Sequence, residues 1–140
     1  MRAVGLDLGR ARVGVAASDA SGSLATPRET LSRTGDPEAD LAAIARVVED
    51  LEAEVVVVGM PLSLDGSAGP AARAAAAEVD ALRAKLPVPV ETYDERLTTV
   101  TADRSLKELR MKSRARRRVV DQVAAAVMLQ AWLDRNRETS

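Results

Sequence analysis

Ala3-Val4-Gly5-Leu6-Asp7-Leu8-Gly9-Arg10-Ala11-Arg12-Val13-Gly14-Val15-Ala16-Ala17-Ser18 holds two short Val- and Gly-rich runs, Ala3 to Gly9 and Arg12 to Ser18, parted by Arg10 and Ala11. Two such runs across a two-residue break read as a β-hairpin. Inside the first run stands an acid, Asp7, between Leu6 and Leu8. An ionised carboxylate at such a position is costly to bury without a cation or a hydrogen-bonding partner. It serves a cation site, or it caps the Gly9-Arg10 turn or pairs with Arg12. Gly9 and Gly14 permit a close backbone approach, by a ligand or simply within a tight turn.

Outward from the hairpin, Gly22 to Leu31 predicts a third strand, which Pro27 confines to a sheet edge with a bend because it lacks a ladder donor. Asp36-Pro37-Glu38 is a helix-start signature, followed by Leu41, Ile44, Val47, Val48 and Leu51 at helical spacing. The β-branched run Val55-Val56-Val57-Val58, ending in Gly59 and Pro61, predicts a strand buried on both faces at a parallel centre. Pro70 opens an Ala-rich helix to about Leu86, and Val88 to Tyr93 forms the next strand, ending at Asp94-Glu95-Arg96. Thr98 or Thr99 is a candidate cap for a helix through Leu109. A last helix begins near Ala115, with Val120, Val123, Ala124, Val127 and Ala131 on its apolar stripe. Three strands followed by alternating helices and strands predict a mixed sheet with helices on its faces. Right-handed crossovers would bring the ends of strands one, four and five together.

The chain has 140 residues, 46% hydrophobic and 29% charged, the measure of one globular domain, placed at 1–136 with a polar tail at 137–140. Cys and His are both absent, which excludes disulfides, thiolate or imidazole metal sites and imidazole general bases. Hydrolysis at neutral pH must then use carboxylates, hydroxyls, amines or a bound metal. No long apolar segment suggests a signal peptide or a membrane span, so a cytoplasmic protein is expected.

The net charge of -1 hides an uneven distribution. Between Arg104 and Arg118 stand eight basic residues and one acid, Glu108, so the rest of the chain is strongly acidic. Eight cations in so short a run favour a phosphate-tracking surface over a merely solvated face. Arg12, Arg96, Arg110, Lys112, Arg114, Arg116, Arg117 and Arg118 are the candidate nucleic-acid contacts. Tyr93 and Trp132 are the only aromatics: Tyr93 stacks one base or packs in the core, Trp132 serves helix packing or an oligomer contact, and backbone charge and shape are the main determinants expected of recognition.

Glu95 and Asp121 join Asp7 as candidate site acids. Neighbours at a strand end point to opposite sides, so only one of Asp94 and Glu95 can face a site, and a salt bridge to Arg96 is the plain alternative. Asp121 borders the last helix's apolar stripe near Ala124 and Ala125, whose small side chains let the helix approach the sheet. Its alternative is an intrahelical pair with Arg117 or Arg118. Together, Asp7, Glu95 and Asp121 offer the all-oxygen donor set that Mg²⁺ or Mn²⁺ prefers, suited to phosphodiester hydrolysis. Gly59 to Gly69, with Ser63 and Ser67, is a substrate loop or a structural one. It is not a Walker A motif, because Ser67 follows Gly66.

Gly5 to Asp19 resembles the opening motif of the YqgF/RuvX family. Val57-Val58-Gly59-Met60-Pro61-Leu62 with Asp65-Gly66 and Gly69-Pro70 resembles its central loop, and Asp94-Glu95-Arg96-Leu97-Thr98-Thr99 its acidic strand-end motif. Asp121-Gln122-Val123-Ala124-Ala125 through Leu129-Gln130 resembles its C-terminal helix. The resemblance implies a ribonuclease H-like α/β fold: a five-stranded mixed sheet, strands one to three antiparallel and four and five parallel, flanked by helices. It implies a metal-dependent nuclease with catalytic acids Asp7, Glu95 and Asp121, processing the 5′ end of precursor small-subunit ribosomal RNA. Related Holliday-junction resolvases carry a fourth acid, to which no position here is assigned. A branched-DNA resolvase and a noncatalytic RNA-binding assembly factor are the alternatives, and a homodimer is a further expectation by fold analogy. A nucleotide-handling enzyme with two closing lobes is disfavoured by length.

Overall fold

A computed structural model describes residues 1–61, 69–95 and 114–139. Three strands, β1 (Ala3–Leu8), β2 (Arg12–Ser18) and β3 (Ala25–Ser32), precede α1 (Pro37–Asp50). Then come β4 (Val55–Met60), α2 (Pro70–Lys85), β5 (Val90–Asp94) and α3 (Arg114–Thr139). The sheet order is β3-β2-β1-β4-β5, with β1–β2 and β2–β3 antiparallel and β1–β4 and β4–β5 parallel, as expected for the ribonuclease H-like arrangement.

Local chemistry accounts for these elements. The Gly9 N–H bonds the Arg12 carbonyl at 2.9 Å and closes the β1–β2 turn. Pro27 sits on the edge strand β3 where the register with β2 shifts between Val15 and Ala16, so its missing donor interrupts no inner ladder. Asp36 caps α1 by accepting from the Glu38 N–H at 3.1 Å, and Pro37 occupies the first turn. Central β4 is buried from Val55 to Gly59 between its two parallel neighbours.

Period-two alternation divides the sheet into two faces. Val4 and Leu6 of β1, Val13 and Val15 of β2, and Val56 and Val58 of β4 pack with Ile44, Val47, Val48, Val79 and Leu82 of α1 and α2. The opposite face is lined by smaller groups, Ala3, Ala16, Val55 and Val57, and carries Ala125, Met128, Leu129, Trp132 and Leu133 of α3. Helix α3 lies very close there: a Cβ built on Gly5 would stand 2.8 Å from the Leu129 Cβ and 3.2 Å from the Ala125 carbonyl oxygen. The small side chains of Ala124 and Ala125 do serve close approach, but the predicted stripe is partly out of phase. Val123 and Val127 are exposed, while Met128, Leu129 and Trp132 are buried. The reason is that α3 is apolar over nearly its whole circumference from Val119 to Leu133. Its orientation is therefore set by the glycines it must cover, not by its own period. The expected helix through Leu109 and the loop serines Ser63 and Ser67 lie outside the described residues.

Candidate nuclease site

Four residues run side by side across the sheet on the α3 face. Asp7 of β1 pairs with Gly14 of β2, and Gly14 pairs with Thr30 of β3. On the other flank Leu6 pairs with Val58, so the next step of the parallel register brings Asp7 beside Gly59. The row is thus Thr30, Gly14, Asp7, Gly59, with the acid between two residues that have no side chain.

Both glycines are covered by groups of the expected site acids. A Cβ on Gly14 would fall 2.1 Å from the Asp121 carbonyl oxygen and 3.2 Å from the Asp121 Cβ, so the α3 backbone rests directly on β2 at Asp121. A Cβ on Gly59 would fall 2.7 Å from Oε1 of Glu95 and 3.1 Å from its Cγ, so the Glu95 side chain lies over β4. At the far end of the row the Thr30 hydroxyl donates to the Arg118 carbonyl at 2.7 Å and fixes the start of α3 over β3. Asp7, Glu95 and Asp121 are all buried, Asp121 with 0% exposure. The glycines were visible in the sequence as places of close approach, but what approaches them is a matter of tertiary structure. Glu95 is buried while Asp94 is half-buried, and Glu95 is the acid of that pair that lies against the row at Gly59.

Arg12 belongs to the same constellation. Its Nε donates to Oδ2 of Asp121 at 2.5 Å, and its side chain is 19% exposed. The sequence offered Arg12 a pairing with Asp7 and Asp121 a pairing with Arg117 or Arg118; the Arg12–Asp121 pair is in neither expectation. Arg118 is held elsewhere, donating to the Thr30 carbonyl at 3.5 Å and to the Ser32 hydroxyl. Arg116 and Arg117 are exposed on the first turns of α3. Arg96, Arg110 and Lys112 lie outside the described residues, as does the side chain of Arg114.

The donor chemistry of Asp7, Glu95 and Asp121 fits a hard divalent cation: three buried carboxylates, with neither nitrogen nor sulfur. Among the described residues, however, no three acids close around a common point. Asp121 faces Arg12 instead, and no buried side-chain polar atom among those residues is left without a partner.

On the opposite face of the same strand ends lies an open cleft of about 740 Å³, lined by Leu8, Gly9, Arg10, Arg33, Pro70 and Glu78 among others. Arg33 braces it. Its Nε donates to the Gly9 carbonyl at 2.7 Å, and its two terminal nitrogens clasp Glu78 at 2.9 and 2.8 Å. The turn that follows Asp7 is thereby tied to α2. No local pattern announced this clamp, because it joins positions 45 residues apart.

Among the described residues, no helix is long and apolar enough to cross a membrane. The solved structure of Thermus thermophilus RuvC in complex with a Holliday junction substrate superposes with a TM-score of 0.60. It covers 99% of this chain and 97% of that one at 18% identity, so the architecture is the RuvC-like ribonuclease H fold. A protein of Rhodococcus opacus (strain B4), named "Putative pre-16S rRNA nuclease", is 50% identical over 95% of this chain and 77% of its own length. Proteins of the same name from Myxococcus xanthus (strain DK1622) and Mycobacterium sp. (strain KMS) are 49% and 47% identical, over 98% and 97% of this chain and 90% and 81% of their own lengths. A family model described as RuvX, Holliday junction resolvase, matches residues 1–135, and the chain belongs to that family.

Proposed function

We propose that this chain is a nuclease that processes the 5′ end of precursor small-subunit ribosomal RNA, with Asp7, Glu95 and Asp121 as its catalytic acids. The observation that carries the reading is the row Gly14-Asp7-Gly59, over whose two glycines the helix at Asp121 and the side chain of Glu95 are laid. A fold does not bring three buried carboxylates to one sheet face for stability alone, since their mutual repulsion and desolvation oppose folding. Relatives that share about half of the residues carry the corresponding name.

In hydrolysis, water adds to phosphorus and one P–O ester bond breaks, leaving a phosphate monoester and a free hydroxyl. A divalent cation, Mg²⁺ or Mn²⁺, when bound by Asp7, Glu95 and Asp121, supplies Lewis acidity and lowers the pKa of the attacking water. The chain's own part is to hold the three carboxylates on rigid elements: Asp7 in an inner strand, Glu95 against Gly59, and Asp121 on a helix pressed to β2. With no His in the chain, a carboxylate is the available proton acceptor. Exposed Arg116 and Arg117 stand one to two turns before Asp121 on α3 and offer phosphate contacts beside the acids. The whole of 1–136 serves as one nuclease domain, acting in the cytoplasm, alone or as a homodimer.

Asp7→Asn keeps the side chain's size and removes its charge. The variant is expected to lose metal-dependent cleavage by at least about a hundredfold while still unfolding in a cooperative transition, which separates loss of chemistry from loss of fold. Wild type and variant are assayed on a precursor ribosomal RNA 5′ fragment and on a four-way DNA junction. Cleavage of the junction alone moves the substrate to branched DNA. Equal cleavage by the variant on either substrate removes Asp7 from catalysis.

A further inference from the structure

Asp121 is fully buried, and a guanidinium carried on β2 reaches its carboxylate from another element. Arg12 and Gly14 lie on the same face of that strand, two positions apart, so the residue that pairs with the Asp121 carboxylate and the glycine that receives the Asp121 backbone are built into one stretch. The ion pair spans 109 residues of sequence, which makes it a tertiary contact and not a by-product of helical spacing. With Nε of Arg12 against Oδ2, the three acids do not close on a common point.

Resting on the nuclease reading above, we infer that Arg12 is the internal counter-ion of the site and competes with the divalent cation for Asp121. A buried carboxylate without positive charge beside it would oppose folding, and the guanidinium meets that need wherever Asp121 lacks another cation. The same contact weakens cation binding, because Oδ2 of Asp121 cannot ligate a cation while it accepts from Arg12 and the guanidinium's charge repels one at Oδ1. By linkage the two effects are equal: whatever factor the arginine takes from cation affinity, the cation takes from the arginine's hold on Asp121. The guanidinium so released remains on the site face, where an anionic phosphodiester can engage it. Arg12 is thus a positioning residue that sets how readily the acids accept a cation.

The test is Mn²⁺ binding to nucleic-acid-free protein by titration calorimetry, with melting temperature as the companion measurement. Arg12→Gln, which keeps a hydrogen-bond donor without the charge, and Arg12→Ala are each expected to tighten Mn²⁺ binding by about tenfold. Both should also gain more melting temperature from saturating Mn²⁺ than the wild type does. If Arg12→Ala fails to fold, Arg12→Gln carries the measurement. The double variant Arg12→Gln, Asp121→Asn should bind no better than Asp121→Asn alone, because the competition has lost its object. If Arg12→Gln binds Mn²⁺ as the wild type does, while Asp7→Asn and Asp121→Asn bind it poorly, the counter-ion role is overturned and the nuclease site stands. If Asp7→Asn and Asp121→Asn bind Mn²⁺ like the wild type, the site and the counter-ion role fall together.

Discussion

Gly14 and Gly59 are flanking neighbours of one acid, yet they should respond oppositely to the same added methyl group. At Gly14 the obstructing atoms are backbone, the Asp121 carbonyl oxygen at 2.1 Å and carbonyl carbon at 2.6 Å, and a helix cannot yield there without leaving the sheet. Gly14→Ala is therefore expected to cost stability, on the order of 3 kcal/mol or more by denaturant unfolding, the upper range for an overfilled core. At Gly59 the nearest atom is the far end of a side chain, Oε1 of Glu95 at 2.7 Å, which can swing away. Gly59→Ala should then melt within a few degrees of the wild type but lose most of its cleavage, because Glu95 is displaced. A Gly59→Ala enzyme of full activity would mean that the placement of Glu95 is not needed. Both glycines could be picked out in the sequence. Their different duties could not, since Asp121 and Glu95 are remote in the chain and meet them only after folding.

Strand and helix positions were readable because each element carries its own chemistry. The Asp36 cap, the Pro37 and Pro70 starts, the valine run of β4 and the edge proline of β3 are all local signals. The facing of α3 was not readable, because a helix apolar on almost every side has no period to read. Contact with Gly5 and Gly14 chooses the buried face and leaves Val119, Val123 and Val127 outside. Among connections, the β2–β3 turn shows how one side chain orders a loop. Asp19 accepts from the Ser23 N–H at 2.8 Å, the Leu24 N–H at 3.3 Å and the Ser23 hydroxyl at 2.9 Å. The hydrogen bonds from the Ser23 and Leu24 backbone amides lead in lowering its carboxyl from 3.8 to about 2. A carboxyl depressed on folding stabilises the protein above its unfolded value, and the gain is lost as the pH falls through the folded one. The gap in stability between wild type and Asp19→Asn should accordingly be constant above about pH 5 and close as the pH falls from about 4 to 2. Unfolding midpoints measured across that range check this. A gap of unchanged size at pH 2 would show that the charge of Asp19 does not order the turn.

For the molecule as a whole, a nearly neutral total coexists with a basic segment around Arg104 to Arg118 and an acidic remainder. The fold gives this asymmetry a direction, because the segment's end forms the start of α3, and α3 delivers Asp121 to the sheet. On the nuclease reading proposed above, a negative substrate would be drawn to the start of α3 and so toward the proposed acids. The three arginines at that end are not equivalent. Arg118 donates to β3 through the Thr30 carbonyl and the Ser32 hydroxyl, so its charge is partly spent on holding the helix start. Arg116 and Arg117 are exposed and suited to phosphates. Replacing both by Gln should weaken RNA binding and lower the slope of log affinity against log salt by roughly 1.4 to 1.8, about 0.7 to 0.9 for each phosphate no longer neutralised. Arg118→Gln should instead lower the melting temperature and move the slope by less. Binding is best measured with the Asp7→Asn protein, which leaves the RNA intact, over a salt series from about 50 to 200 mM. If the double replacement leaves the slope unchanged, the nucleic acid does not run along the start of α3 and must reach the acids from the opposite side.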